Sequence, residues 1–135
     1  MKSLEIWSEI KDEATTFKKT DEDASVFLDV YIEPFETLGS ALSFKLSQDL
    51  AYVENQNGFS QDYLFQELEK TFSDKEIIAG VIKDLLAVKK RDPAATGFLM
   101  TLLSSKGFLA LQSHRAASKF INSKKTFMAL YLQSQ

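Results

Sequence analysis

Histidine is the side chain that acid–base and nucleophilic chemistry most often requires, and this sequence of 135 residues has one, His114. It lies mid-helix in LQSHRAA, with no nucleophile motif in the chain for it to activate, so a surface or hydrogen-bonded structural histidine is the favoured reading over a catalytic one. Cysteine is absent, which removes disulfides, thiolate metal sites and cysteine nucleophiles together. The acids fall singly on helix faces or in first turns and not at ligand spacing, so no metal site is expected. No P-loop and no dinucleotide-binding glycine fingerprint occurs. Asp92 is the exception. It is the sole acid after residue 84, it follows Lys89, Lys90 and Arg91, and it stands before Pro93 at an irregular junction between helices. A carboxylate among cations suits the binding of an ammonium group and does not suit general acid work. The competing reading is a helix stop whose carboxylate caps the following turn, and spacing alone favours that one.

The elements that must position these residues are helical. Five Gly and two Pro are too few for the frequent turns of a sheet-rich fold, and 44% hydrophobic residues, with eleven Phe, four Tyr and one Trp, can supply a core that is unusually aromatic. The expectation is one compact all-α domain of about seven to eight helices. Leu4, Trp7, Ile10, Ala14 and Phe17 form one stripe over residues 4–17. Thr20 is expected to cap a second helix that runs to about Glu33 with Phe27, Val30 and Tyr31 inward, and Pro34 stops it. A third helix covers about 37–52 through Leu38, Ala41, Leu42, Leu46 and Leu50. ENQNGFS (54–60) reads as a loop. Ser60 caps a fourth helix with Leu64, Phe65, Leu68 and Phe72. Ser73–Glu76 reads as a capping box for a fifth, with Ile78, Val81, Ile82 and Leu85 inward and Lys89–Arg91 at its end. Asp92-Pro93 breaks the pattern. A short helix over about 96–105, a bend at Gly107, a helix with Phe108, Leu111 and Phe120, and a last one capped by Ser123 with Phe127, Leu130 and Tyr131 complete the expectation.

Charge is divided along the chain. Residues 1–84 hold 8 basic and 18 acidic residues, and residues 85–135 hold 8 basic residues and one acid. Two solvated surfaces of opposite sign are the plain reading; an anion site or a charge-matched subunit contact in the second half is the sharper one. The basic residues are scattered and carry no recognised binding motif, so nucleic acid is not an expected partner. The acidic opening MKSLEIWSEIKDEA does not read as a signal peptide, and no apolar run approaches the roughly 20 residues of a membrane span. The expectation is a soluble cytoplasmic protein with no membrane partner.

Several segments carry a resemblance. Asp84-Leu85-Leu86-Ala87-Val88-Lys89-Lys90-Arg91-Asp92-Pro93-Ala94 resembles the D-x-x-A-V-x-x-R-D-P-A segment of bacterial and plant serine O-acetyltransferases. Leu38-Gly39-Ser40-Ala41-Leu42-Ser43 is similar to that family's L-G-S-A-L-S, and Lys106 to Arg115 to its K-G-F-x-A-L-Q-x-x-R. The opening Leu4-Glu5-Ile6-Trp7 and the closing Leu132-Gln133 with Gln135 fit as well, so the resemblance covers nearly the whole chain in order. Leu109 departs from the pattern, standing where family members often have His.

The resemblance implies an N-terminal helical domain, residues 1–135, of an enzyme that transfers acetyl from acetyl-CoA to L-serine to give O-acetylserine for cysteine synthesis. In that family a left-handed parallel β-helix of hexapeptide repeats follows and supplies the catalytic histidine and the acetyl-CoA cleft. None of it lies in this chain, so no catalytic residue is expected here, no cofactor is expected to bind, and the chain alone is expected to be inactive. The implied tasks are to join two trimers into a hexamer and to lend Asp92 to the site that binds serine and the feedback inhibitor cysteine. Contact with O-acetylserine sulfhydrylase would use a C-terminal tail that this chain does not contain. The apolar ending FMALYLQSQ lacks a closing turn signal and reads as interrupted. The alternative is a stand-alone, non-catalytic helical oligomerisation or adaptor module derived from the same domain.

Overall fold

Apolar residues recurring every three or four positions, broken by short polar junctions, produce eight α-helices among the described residues: α1 Ser3–Thr20, α2 Glu22–Tyr31, α3 Leu38–Glu54, α4 Gln61–Phe72, α5 Lys75–Arg91, α6 Leu99–Ser104, α7 Lys106–Asn122 and α8 Thr126–Gln133. The computed structural model describes residues 2–54, 59–92, 94 and 96–134, and no strand occurs among them. Of the expected 54–60 loop, Glu54 closes α3, Phe59 and Ser60 are non-helical, and residues 55–58 lie outside the described residues, as do Pro93, Ala95 and Gln135. α3 packs chiefly on α4, α7 on α8 and α1 on α2, while α5 lies against α1, α4, α6 and α7.

The helix starts show which polar group wins where several compete. Ser60 caps α4, its hydroxyl accepting from Tyr63 N at 3.2 Å. α2 is capped by Asp21, whose carboxylate accepts from Asp23 N and Ala24 N, and the expected Thr20 is instead the last residue of α1. α5 is capped by Asp74, which accepts from Glu76 N at 2.9 Å and Ile77 N at 3.2 Å. Ser73 therefore closes α4, its hydroxyl donating to Lys70 O, and the expected capping box does not form. In both cases a carboxylate displaces the neighbouring hydroxyl because negative charge is favoured at the positive end of the helix dipole. Gly107 makes no bend. Ser105 ends α6 and caps α7, and Gly107 lies in the first turn of α7. Ser123 closes α7 and does not cap α8; the chain turns through Lys124 at φ 62°, in the left-handed region, and α8 begins without a side-chain cap.

The core runs from Ile6, Trp7, Ile10 and Ala14 of α1 through Leu38, Ala41, Leu42, Leu46 and Leu50 of α3 and Leu64, Leu68 and Phe72 of α4 to Val81, Ile82 and Leu85 of α5. Three expected inner faces hold only in part, and Trp7, Ile10 and Ala14 of α1 are buried as expected. Leu4 and Phe17 are exposed; α2 buries Leu28 and leaves Phe27 and Val30 outside; α8 buries Met128, Ala129 and Leu132 and turns Phe127, 75% exposed, and Leu130 to solvent. Leu111 of α7 also faces out. A short helix that is apolar on most sides gives periodicity no face to choose. The aromatic residues divide likewise. Trp7, Phe72, Phe98, Phe108 and Phe120 are buried, whereas Phe27, Tyr31, Phe44, Phe35 and Phe65 form a line of ring contacts in a half-exposed layer.

The L-G-S-A-L-S motif is a packing device at the α3–α4 contact. Leu38, Ala41 and Leu42 enter the core, and Gly39 meets the end of α4 so closely that a Cβ there would lie 2.6 Å from the Phe72 carbonyl oxygen. Ser40 donates to Glu69 Oε2 at 2.8 Å across the same contact, and Ser43 donates back to the Gly39 carbonyl.

Part of the charge asymmetry is met by pairs within the chain. Asp84 pairs with Arg115, Asp74 with Lys119 and Glu67 with Lys125, each an acid of the first half held by a cation of the second. Glu67 is buried, and the Lys125 ammonium hydrogen-bonded to it, with Lys70 3.0 Å from its other oxygen, holds its carboxyl below the usual range against the opposing effect of burial. Hydrogen bonds from the Ile77 and Glu76 amides, with Lys119 nearby, lower Asp74 in the same direction.

Candidate functional site

The two longest matching segments meet through one polar cluster. Asp84 Oδ2 accepts from Arg115 Nη2 at 2.6 Å and from Gln112 Nε2 at 2.8 Å, and Arg115 Nε donates to Gln112 Oε1 at 3.2 Å. Gln112 is fully buried, so its amide needs these partners. Gly80, one turn before Asp84, leaves room for the guanidinium: a Cβ there would stand 2.3 Å from Arg115 Nη1. α5 is thus locked to α7 at its middle. Asp92, eight residues further, is carried about 12 Å along the helix axis from this lock.

At Asp92 the backbone leaves the helix, with φ −104° and ψ 106°, after its N–H has donated to Val88 O at 3.0 Å. Oδ1 accepts from Ala94 N at 3.0 Å, which is the capping role anticipated for a helix stop, yet the side chain remains exposed. The expected halo of cations does not form. Lys89 turns away to place its ammonium 4.6 Å from the centroid of the Phe98 ring, Lys90 and Arg91 are exposed, and among the described residues none of them pairs with Asp92. One oxygen is therefore used by the turn, and among the described residues the other has no hydrogen-bond or ion-pair partner.

A cleft of about 310 Å³ opens beside Asp92 between α1, α5 and α6, bounded by Glu13, Phe17, Val88, Thr96, Met100 and Thr101. Glu13 is the residue the sequence did not reveal. Both of its carboxylate oxygens accept from Phe98 N, at 3.1 and 3.0 Å, and Oε1 lies 3.4 Å from Leu99 N, so an α1 side chain caps α6, which has no cap of its own. Gly97 makes this possible, because a Cβ there would fall 1.8 Å from Glu13 Oε1. A signal did exist. Glu13 follows Ile6 and Ile10 at spacings of four and three, which places an acid on the buried stripe of α1.

His114 and Leu109 lie elsewhere. They border a larger, mainly apolar cleft of about 550 Å³ between α3, α7 and α8, with Leu46, Asp49, Leu50 and Leu132. His114 is exposed and shares no cleft with Asp92. The smaller cleft, not the larger, holds the convergent polar groups that a small charged ligand needs. Among the described residues no three His, Asp or Glu side chains are grouped to hold a metal, and no helix is long and apolar enough to cross a membrane.

Residues 6–113 match the family model described as serine acetyltransferase, N-terminal. The chain is 34% identical over 130 residues to a probable serine acetyltransferase 5 of Oryza sativa subsp. japonica, covering 96% of this chain and 37% of that protein. It is 33% identical over 132 residues to the serine acetyltransferase of Escherichia coli strain K12, covering 96% and 46%. Among solved structures, a serine acetyltransferase in complex with CoA superposes with a TM-score of 0.89 at 31% identity over 98% of this chain and 56% of that one. The soybean serine acetyltransferase complexed with serine gives 0.87 at 29% over 98% and 53%. The chain spans less than half the length of these curated relatives.

Proposed function

The chain belongs to the family of serine acetyltransferase N-terminal domains, and on that premise we propose that it serves a serine O-acetyltransferase in two ways: it assembles the subunits and it completes the serine site with Asp92. The enzyme would transfer acetyl from acetyl-CoA to the L-serine hydroxyl. The base that deprotonates the hydroxyl and the groups that hold acetyl-CoA would lie in a following β-helix domain. Residues 1–135 would form the helical domain, the assembly would be a dimer of trimers in the cytoplasm, and cysteine would compete for the serine place.

The observation that carries the serine assignment is the state of Asp92. It is an exposed carboxylate with one oxygen fixed by Ala94 N, at the mouth of a polar cleft, inside a segment that matches the family. Its other oxygen suits an ammonium or a hydroxyl donor. In the full-length enzyme, Asp92→Asn keeps size and removes charge. Loss of a charge-assisted hydrogen bond, about 1.5–3 kcal/mol, should lower kcat/KM for serine roughly tenfold to a hundredfold, with KM for acetyl-CoA unchanged and cysteine inhibition weakened in parallel. Unchanged serine kinetics would leave Asp92 a helix cap and remove the assignment. The assembly role is supported by the outward Phe127 and Leu130, one turn apart on α8, since adjoining apolar side chains left in solvent suit a contact with another subunit. A strict monomer in sedimentation at high concentration would count against it.

A further inference from the structure

The geometry points to Glu13 as a positioning residue for the serine site, acting from α1 on the start of α6, which lines the same cleft as Asp92. The inference rests on the reading of Asp92 as a serine contact. Between the end of α5 and the start of α6 the described chain is fastened at three places. Asp92 Oδ1 holds the Ala94 amide, the Lys89 ammonium sits over the Phe98 ring, and the Glu13 carboxylate takes the Phe98 and Leu99 amides. The first two fasten the segment to its own helix. Glu13 ties it by hydrogen bonds to a different element, 85 residues away in sequence, beside the core packing of Phe98 and Leu99.

That tie has a chemical reason and a steric one. α6 has only six residues and no side-chain cap from its own segment, so its first amides point at whatever acceptor is near. A carboxylate meets them with charge at the positive end of the helix. The approach is so close that residue 97 must lack a Cβ. Glu13 and Gly97 are therefore one device at the start of α6, and moving either reshapes the wall of the cleft that Asp92 also lines. Sub-ångström placement matters for a group that orients a small substrate.

The test uses the full-length enzyme. Glu13→Ala should raise KM for serine about tenfold, in the range expected for a misplaced binding group, and leave KM for acetyl-CoA unchanged. Glu13→Gln, which keeps an acceptor oxygen, should recover most of the loss. Gly97→Ala should raise KM for serine comparably, because its methyl displaces the carboxylate. The double variant Glu13→Ala/Gly97→Ala should be no worse than Glu13→Ala alone, since the added Cβ then meets no carboxylate. Hydrogen exchange at the Phe98 and Leu99 amides should accelerate in Glu13→Ala and less in Glu13→Gln. A merely structural Glu13 would lower the melting temperature without separating the two Michaelis constants, and that result would overturn the inference. So would unchanged exchange at the two amides, or strictly additive effects in the double variant. If Glu13→Ala does not fold, Gly97→Ala and Glu13→Gln decide on the same readouts. Failure of the Asp92 reading looks different: Asp92→Asn would then keep normal serine kinetics while the amide exchange still responded to Glu13.

Discussion

Asp84 in α5 and Asp92 just past its end stand in the same matching segment, eight residues apart, and their surroundings could hardly differ more. Asp84 Oδ2 is shared between Arg115 and the fully buried Gln112, under a glycine that makes room for the guanidinium. Asp92 has one oxygen in a local turn, and the exposed residue lines a cleft. A motif read as a string gives both acids equal weight. Their hydrogen bonds separate them into one carboxylate consumed by the fold and one left available to a ligand. Availability, not presence in a motif, is what supports the proposal that Asp92 meets a ligand.

The largest effect that would sharpen this contrast is on stability. Asp84→Ala strips Gln112 and Arg115 of their common acceptor while both remain mostly enclosed, so unfolding in urea should show a loss of about 2–4 kcal/mol. The same measurement on Asp92→Asn should show about 0.5–2 kcal/mol at most, the worth of a cap. If the two losses are equal, the contrast breaks. A pH titration of stability extends it to Glu67, another consumed acid. Its carboxyl is lowered by the Lys125 hydrogen bond, so the folded chain holds fewer protons there than the unfolded one. The stabilisation is therefore complete above the ordinary value of 4.5 and is lost as pH falls below it through the lowered folded value. Glu67→Gln should flatten that acid limb; an unaltered limb would place the proton linkage elsewhere. The smallest effect is expected at Lys89→Met, which keeps the aliphatic stem and removes a cation over Phe98. A loss of about 0.5–1 kcal/mol is anticipated, seen as a small fall in Tm.

How much of this was legible depended on sequence distance. α3 was readable because Leu38, Ala41, Leu42, Leu46 and Leu50 define one face and all are buried. α8 was not, because FMALYLQ offers apolar residues on nearly every side, and tertiary packing chose Met128, Ala129 and Leu132. Caps were misplaced by one residue where a hydroxyl and a carboxylate are neighbours, at Thr20-Asp21 and Ser73-Asp74. Asp92 was found through its matching segment, and the turn it caps was anticipated from Pro93. The cations expected around it were not there, since charges adjacent in sequence diverge at a helix end. The pairs that hold Arg115 and Lys125 of the basic second half join residues 31 and 58 positions apart, Asp84 with Arg115 and Glu67 with Lys125, and no local pattern announces them. Glu13 and Phe98 are separated by 85 positions and were invisible for the same reason.

Trp7 gives the molecule an optical reporter. It is the sole indole in the chain, is 3% exposed, and its Nε1 has no hydrogen-bond acceptor among the described residues. An indole in such dry surroundings emits at short wavelength, and wetting shifts the emission to the red. Trp7 sits on α1, the helix that also bears Glu13, so the colour of this one fluorophore follows whether that helix is seated. Stopped-flow fluorescence could then time the release of α1 against the loss of total helix by circular dichroism, and reveal whether the element that anchors the start of α6 is the first to leave.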